Sequence, residues 1–189
     1  MIKIYYSDIS KLPFPTEEDI NLLTNVRRDY LLNITDNFKK KQSFYVWKLL
    51  EFQLKKEFDV LDFEYDSKGF FKLKENFVNF SLSHSENIVV VAISLDKVGV
   101  DVQILRQDIL TTKKLFSDKI QNENNLNVKF LTKLWVERES FIKYKSIYNE
   151  TPNDYFFNCI EIKDCWDNKY CLGFISEKEN DVEYKKINL

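Results

Sequence analysis

The spacing of apolar residues changes period several times along the chain, and each change predicts an element. Residues 2–6 alternate and are rich in β-formers, so they predict an opening strand. Leu12-Pro13-Phe14-Pro15 is a stiff connection, because proline fixes φ and has no N–H for a helix interior. Thr16 ahead of Glu17, Glu18 and Asp19 predicts a capped helix that carries Ile20, Leu23, Val26 and Arg27 or Arg28 toward Tyr30. A second helix is expected from residue 35 or 36 to 58, where Phe44, Trp47, Leu50, Leu54 and Phe58 recur at three- and four-residue intervals. Asp66-Ser67-Lys68-Gly69 has turn chemistry.

The next stretch, FSLSHSENIVVVAISLDKVGVDVQ, is the most informative. A short strand leads to a polar corner at Ser83-His84-Ser85, and residues 88–95 are an almost unbroken apolar run, as in a buried strand. Residues 98–102 form another strand, with Val98, Val100 and Val102 on one face and Asp101 and Gln103 sharing the other. Gly99 permits a bend or a close approach of a neighbour just before that carboxylate. Residues 110–120 look helical, 121–127 read as a polar surface loop, and 130–144 form an amphipathic helix. On that helix Trp135, Glu139 and Lys143 follow one another at four-residue spacing, so they stack along one edge. Residues 155–162, 170–175 and 182–187 close the chain as strands.

Composition narrows the class. At 189 residues, 44% hydrophobic and 31% charged, the chain can build one good core or two small lobes. A net charge of −2 argues against a general nucleic-acid binder. No apolar run approaches the roughly 18 residues of a membrane span, and MIKIYYSDIS does not read as a leader, so a cytoplasmic protein is expected. Cys159, Cys165 and Cys171 contain no Cys-x-x-Cys pair and have one histidine far away, which argues for buried, reduced core thiols over a zinc site.

The candidate chemistry is built from oxygen donors. Asp101 and Glu139, with the neutral oxygen of Gln103, are ligand types suited to a hard cation such as Mg²⁺. Each also has a plainer reading as surface charge. His84, the only histidine, could donate to an anion beside the hydroxyls of Ser83 and Ser85, or could be a structural ring. Lys39-Lys40-Lys41 is either a solvated helix face or a phosphate clamp. With three glycines there is no phosphate loop or dinucleotide fingerprint, and no Gly-x-Ser-x-Gly elbow exists.

Three segments occur in a telling order: Phe80-Ser81-Leu82-Ser83-His84-Ser85, Val98-Gly99-Val100-Asp101-Val102, and Trp135 to Lys143, WVERESFIK. Together they resemble the 4′-phosphopantetheinyl transferases of the surfactin-synthetase type. Those enzymes show an F/N-x-S-H-S corner, a G-[IV]-D-[IV]-E strand and a W-x-x-K-E-[SA]-x-x-K helix. The resemblance implies an α+β fold of two similar lobes with the active site at their interface, here residues 1–97 and 98–189. It implies transfer of the phosphopantetheine arm of coenzyme A to a serine of an apo acyl or peptidyl carrier protein, with Mg²⁺, by a cytoplasmic monomer that binds neither nucleic acid nor membrane. By position, Asp101, Gln103 and Glu139 would hold the metal, Glu139 and Lys143 would be catalytic, and Lys41, Lys68, Ser83 and His84 would contact coenzyme A. Three departures stand out: Gln103 replaces an acidic residue, Arg138 a lysine, and Gly69 a proline. A non-catalytic coenzyme A or carrier-protein binding module of the same fold is the alternative.

Overall fold

The computed structural model describes residues 1–65, 71–74, 77–120 and 126–189, and at residues 25, 26, 65 and 118 the backbone alone. The chain opens with β1 (Ile2–Asp8), then α1 (Glu17–Asn21), α2 (Asn25–Leu32) and the long α3 (Asn37–Phe58). Short strands β2 (Phe63–Tyr65) and β3 (Phe71–Leu73) precede β4 (Asn79–Ser85), β5 (Ile88–Ser94) and β6 (Val98–Ile104). A kinked run of 3₁₀ turns, Gln107–Lys119, leads to α4 (Val128–Tyr148), and β7 (Phe156–Lys163), β8 (Lys169–Ser176) and β9 (Val182–Lys186) finish the chain. The class is mixed α+β.

Two sheets organise the molecule. One has strand order β4-β5-β1-β9 and the other β6-β8-β7, while β2 and β3 form a separate ribbon. Alternation along the strands gives the first sheet two apolar faces and the second sheet one apolar face and one mixed face. Ile2, Ile4, Val90 and Ala92 of the first sheet pack against Val98, Val100, Leu172 and Phe174 of the second. The opposite face of the first sheet, with Tyr5, Val89, Val91 and Ile93, packs against Trp47, Leu50 and Leu54 of α3. The opposite face of the second sheet carries α4. The layers therefore run helix, sheet, sheet, helix, and β5 is buried at every position because it faces a layer on each side.

Local chemistry fixes the helix ends. Asp36 accepts from the Lys39 N–H at 2.8 Å and Asn127 from the Phe130 N–H at 2.9 Å, so each long helix starts on a side-chain cap. Asp59 and Asn149 end them in the left-handed region, which short polar side chains tolerate. The single helix expected over residues 16–30 is two. Thr16 and Asp19 close a capping box on α1, and the non-helical backbone at Thr24 restarts the chain as α2.

Other expectations need adjustment. Residues 110–119 lie in 3₁₀ turns with a kink at Phe116, and Ile120 is extended. Of the cysteines, Cys171 is buried, Cys159 is half-buried and Cys165 is exposed. The turn at 66–69, including Lys68, and most of the expected loop at 121–127 lie outside the described residues. The chain also returns across its midpoint, because β9 pairs in parallel with β1 in the first sheet.

The two sheets meet edge to edge through side chains. N–H groups alternate in direction along a strand, so those of Val100, Val102 and Ile104 point away from β8. They donate to the hydroxyls of Ser81, Ser83 and Ser85 on β4, at 3.1, 3.2 and 3.1 Å. An orphaned buried N–H costs about 1–3 kcal/mol, so this ladder of serines closes an edge that would otherwise be destabilising.

Candidate active site

The seam between β4 and β6 carries most of the sequence-predicted residues. Gly99, Asp101 and Gln103 share the β6 face that looks toward α4, and Gly99 sets how close α4 comes. A Cβ built there would lie 2.2 Å from the Ser140 backbone oxygen and 3.0 Å from Tyr144 Cβ. Only glycine admits that approach, and it lays Lys143 on the strand.

Asp101 is 6% exposed. Its Oδ1 accepts from the Ser83 hydroxyl at 2.7 Å and from Lys143 Nζ at 2.7 Å. Lys143 Nζ also donates to the Val100 carbonyl at 3.1 Å. A buried carboxylate is costly unless paired and hydrogen-bonded, and these two donors meet that need. Among the described residues, every hydrogen bond to this carboxylate falls on Oδ1. Oδ2 is the oxygen left for a ligand.

Ser83 is itself buried, donating to Asp101 and accepting from Val102. Its hydroxyl orients the carboxylate and has no further proton for an anion. His84 points to the other face of β4, in the row of Phe80 and Leu82. The ring is open to water on one side and crowded by protein on the other. Loss of water, then the positive charges of Lys143 and Arg27, push its pKa down to about 4, while Asp101 pulls it up. At neutral pH the imidazole is neutral, with one N–H to donate.

Glu139 lies one turn before Lys143 on α4, with its side chain 27% exposed. Its ion partner is the adjacent Arg138, at 3.5 Å, a long contact that leaves the carboxylate available. Gln103 is half-buried, two residues beyond Asp101 on the same face. Lys41 is not among the groups that contact Asp101. It is buried near the start of α3, over the Phe14 ring at 5.0 Å, and burial lowers its pKa despite the opposing charge of Asp8. Its neighbour Gln42 donates to the Glu86 carbonyl at 2.8 Å, which ties that end of α3 to the hairpin just beyond His84.

Beside Lys143 a 280 Å³ cleft opens between β4 and α4, walled by Phe71, Phe80, Leu82, Ile142 and Ile147. Its apolar lining and single ammonium suit a long, partly apolar ligand with an anionic end. Several contributors were missed from sequence. Arg27, 5% exposed, sits 4.5 Å from the Tyr30 ring centre and 4.9 Å from that of Trp47, and donates to the Ser43 carbonyl at 2.8 Å. Its signal would have been an arginine inside an otherwise apolar helix face. Ser85, expected beside His84 as an anion contact, instead joins Ser81 in closing the seam, a role signalled by the Ser-x-Ser-x-Ser alternation on one strand.

The donor set fits a hard cation in chemistry, with Asp101 Oδ2 and the Glu139 carboxylate as anionic oxygens and Gln103 as a neutral one. Among the described residues no group of three or more His, Cys, Asp or Glu side chains forms a self-sufficient metal cage. A cation held here would thus complete its shell with water and ligand oxygens. No protein-family model matches the chain, and no curated protein matches it in sequence.

Proposed function

We propose that the protein is a 4′-phosphopantetheinyl transferase with a two-lobed fold of that family, moving the phosphopantetheine arm of coenzyme A to a serine hydroxyl of an apo-carrier protein. One observation carries the proposal. The three motif segments, far apart in sequence, converge on Asp101 through Ser83 and Lys143, with Glu139 one turn away. Asp101 and Glu139 would hold Mg²⁺, and Gln103 would offer a carboxamide oxygen or hold a bound water. When bound, the ion would neutralise charge on the pyrophosphate of coenzyme A as the bond to the leaving phosphate stretches.

The remaining roles belong to the chain's own groups. Glu139 accepts the proton of the carrier serine, directly or through water, since it is the less enclosed of the two carboxylates. Lys143 places its ammonium at the mouth of the cleft, where it steadies the departing phosphate of adenosine 3′,5′-bisphosphate. His84, neutral, donates a hydrogen bond to a nucleotide phosphate. Lys41 and Lys68 add positive charge for the nucleotide, and Ser83 positions Asp101. The cleft walls take the arm itself. The protein would work in the cytoplasm as a monomer, because both sides of the seam come from one chain.

Intact-mass analysis of several apo-carriers, incubated with the protein, coenzyme A and Mg²⁺, tests the proposal. A gain of one phosphopantetheine on a carrier is expected, and its loss in Asp101→Ala. Transfer at the full rate by Asp101→Ala would remove the metal assignment. Gln103, in place of an acidic residue, favours one second reading: a module that binds coenzyme A or a carrier without turnover. Stabilisation by coenzyme A with no mass gain on any carrier would select it.

A further inference from the structure

On the same face of the second sheet, toward the N-terminal half of α4, lies a pair of thiols that the transfer chemistry does not use. Cys159 on β7 stands opposite Gly173, and Cys171 on β8 stands opposite Glu161, so the cysteines are diagonal neighbours on one face. Both line a small cleft of 150 Å³ together with Lys129, Lys133, Glu161 and Tyr170. Lys129 is engaged with Glu161 at 3.2 Å. Lys133 is exposed and makes no ion pair among the described residues, its nearest partner being the Phe157 ring at 5.9 Å. A cleft with two sulfurs and a spare ammonium is built for an anion on sulfur.

We propose that Cys159 is a reversible oxidation site: a thiolate that attacks hydroperoxides and is held by the Cys171 S–H and the Lys133 ammonium. Supporting chemistry runs the same way. The neighbouring Cys171 thiol, then Lys133 and Lys129, lower the Cys159 pKa to about 7, against the opposing effects of burial and Glu137. In the step, the thiolate sulfur displaces the peroxide's leaving oxygen. An S–O bond forms, the O–O bond breaks, sulfur is oxidised by two electrons, and the departing alkoxide or hydroxide takes a proton from solvent. The product is Cys159 sulfenic acid and an alcohol or water. A low-molecular-weight thiol restores it, first forming a mixed disulfide with loss of water and then releasing the thiolate to a second thiol.

Register explains why the product stops at sulfenic acid. Diagonal neighbours on antiparallel strands lie about 7–8 Å apart, whereas a disulfide usually needs Cα atoms within about 6.8 Å. The Cys159–Cys171 bridge would require one strand to slide.

The test treats the full chain with hydrogen peroxide, traps sulfenic acid with a cyclic dione, and maps the label by peptide mass spectrometry. Cys159 is expected to label at least about tenfold faster than the more exposed Cys165, whose sulfur lies 3.0 Å from the Ser10 hydroxyl. Lys133→Met, a surface change, is expected to slow labelling several-fold while circular dichroism stays native. Equal or faster labelling of Cys165, or an unchanged rate in Lys133→Met, would overturn the proposal. A product two mass units lighter, with the Cys159 and Cys171 peptides linked, would overturn the sulfenic-acid assignment.

Discussion

Gly99→Ala tests the geometry on which the candidate site depends. The added Cβ would start 2.2 Å from a backbone oxygen, Ser140 O, where ordinary contacts begin near 3.4 Å. About 1 Å must be found, and the obstacle is helix backbone, so no rotamer change can supply it. Either α4 lifts from β6 or β6 bows toward the first sheet, whose side chains behind Val100 are already buried. Overpacking of this kind costs about 1–3 kcal/mol. For a chain of this size, each kcal/mol lowers Tm by about 2–4 °C, so a fall of about 2–12 °C is expected. Lifting α4 by 1 Å also carries Lys143 and Glu139 away from Asp101, and a displacement of that size in a reacting group costs on the order of 10²-fold in rate. Gly173 is an internal control. Its nearest obstacles are side-chain atoms, Val136 Cγ1 at 2.8 Å and Phe157 Cε2 at 2.9 Å, and the backbone oxygen of Asn158 is farther at 3.1 Å, so Gly173→Ala should be milder. Thermal melts followed by circular dichroism, with carrier-transfer rates below each melt, measure both effects. A Gly99→Ala protein within 1 °C of the parent, or no more affected than Gly173→Ala, would refute the close seating of α4 on β6.

Three further outcomes follow from the site. Removing one partner of the Asp101–Lys143 pair by Lys143→Met should destabilise the fold by about 1–3 kcal/mol. That lies below the usual 3–5 for a buried pair, because the lysine side chain is 29% exposed and partly screened. Adding Asp101→Asn should recover part of the loss, and purely additive chemical-denaturation midpoints would mean the pair is not coupled. Gln103→Glu should lower the Mg²⁺ concentration needed for half-maximal transfer, and an unchanged titration would place Gln103 outside the metal's shell. The folded pKa of His84 is depressed from 6.5 to about 4, so the unfolded chain binds its proton first as pH falls. Its contribution is present in full above about pH 6.5 and is lost between there and about pH 4; His84→Gln should flatten stability across that window, and an unaltered pH profile would refute the depressed pKa.

Much of the site was legible because strand parity is a strict rule. Val98, Val100 and Val102 on one face force Asp101 and Gln103 onto the other, and Gly99 on that same face announces something close above it. The four-residue spacing of Trp135, Glu139 and Lys143 likewise fixes them to one edge of α4 whatever the tertiary fold. What could not be read is the offset between strands that are not ladder partners. Ser81, Ser83 and Ser85 reach β6 at a constant separation of 19 residues, a register set by sheet packing and by no local pattern. The return of β9 to the first sheet is a choice of edge, and its alternation would serve either sheet. The break between α1 and α2 was hidden because the apolar spacing continues across it, while Thr24 supplies a second start. The cysteines were judged by residue type, yet exposure followed position: Cys165 is in the β7–β8 turn.

Ser83 joins the two kinds of organisation. Its oxygen accepts the Val102 N–H that closes the seam, and its proton goes to Asp101 Oδ1. The same hydroxyl therefore fixes the relation of the sheets and the orientation of the carboxylate, so the seam cannot open without turning Asp101. Lys143 adds a second constraint from α4, anchored also to the Val100 carbonyl. A carboxylate held by two donors on one oxygen presents the other in a fixed direction, the preorganisation that binding a cation or stabilising developing charge demands. Glu139 is under no comparable constraint, with one long contact to its neighbour Arg138. The asymmetry separates their geometry: Asp101 is held in place, whereas the Glu139 carboxylate is free to turn toward a ligand. A bare binding module would need only the first of these, so the decisive side chain between turnover and binding is Glu139.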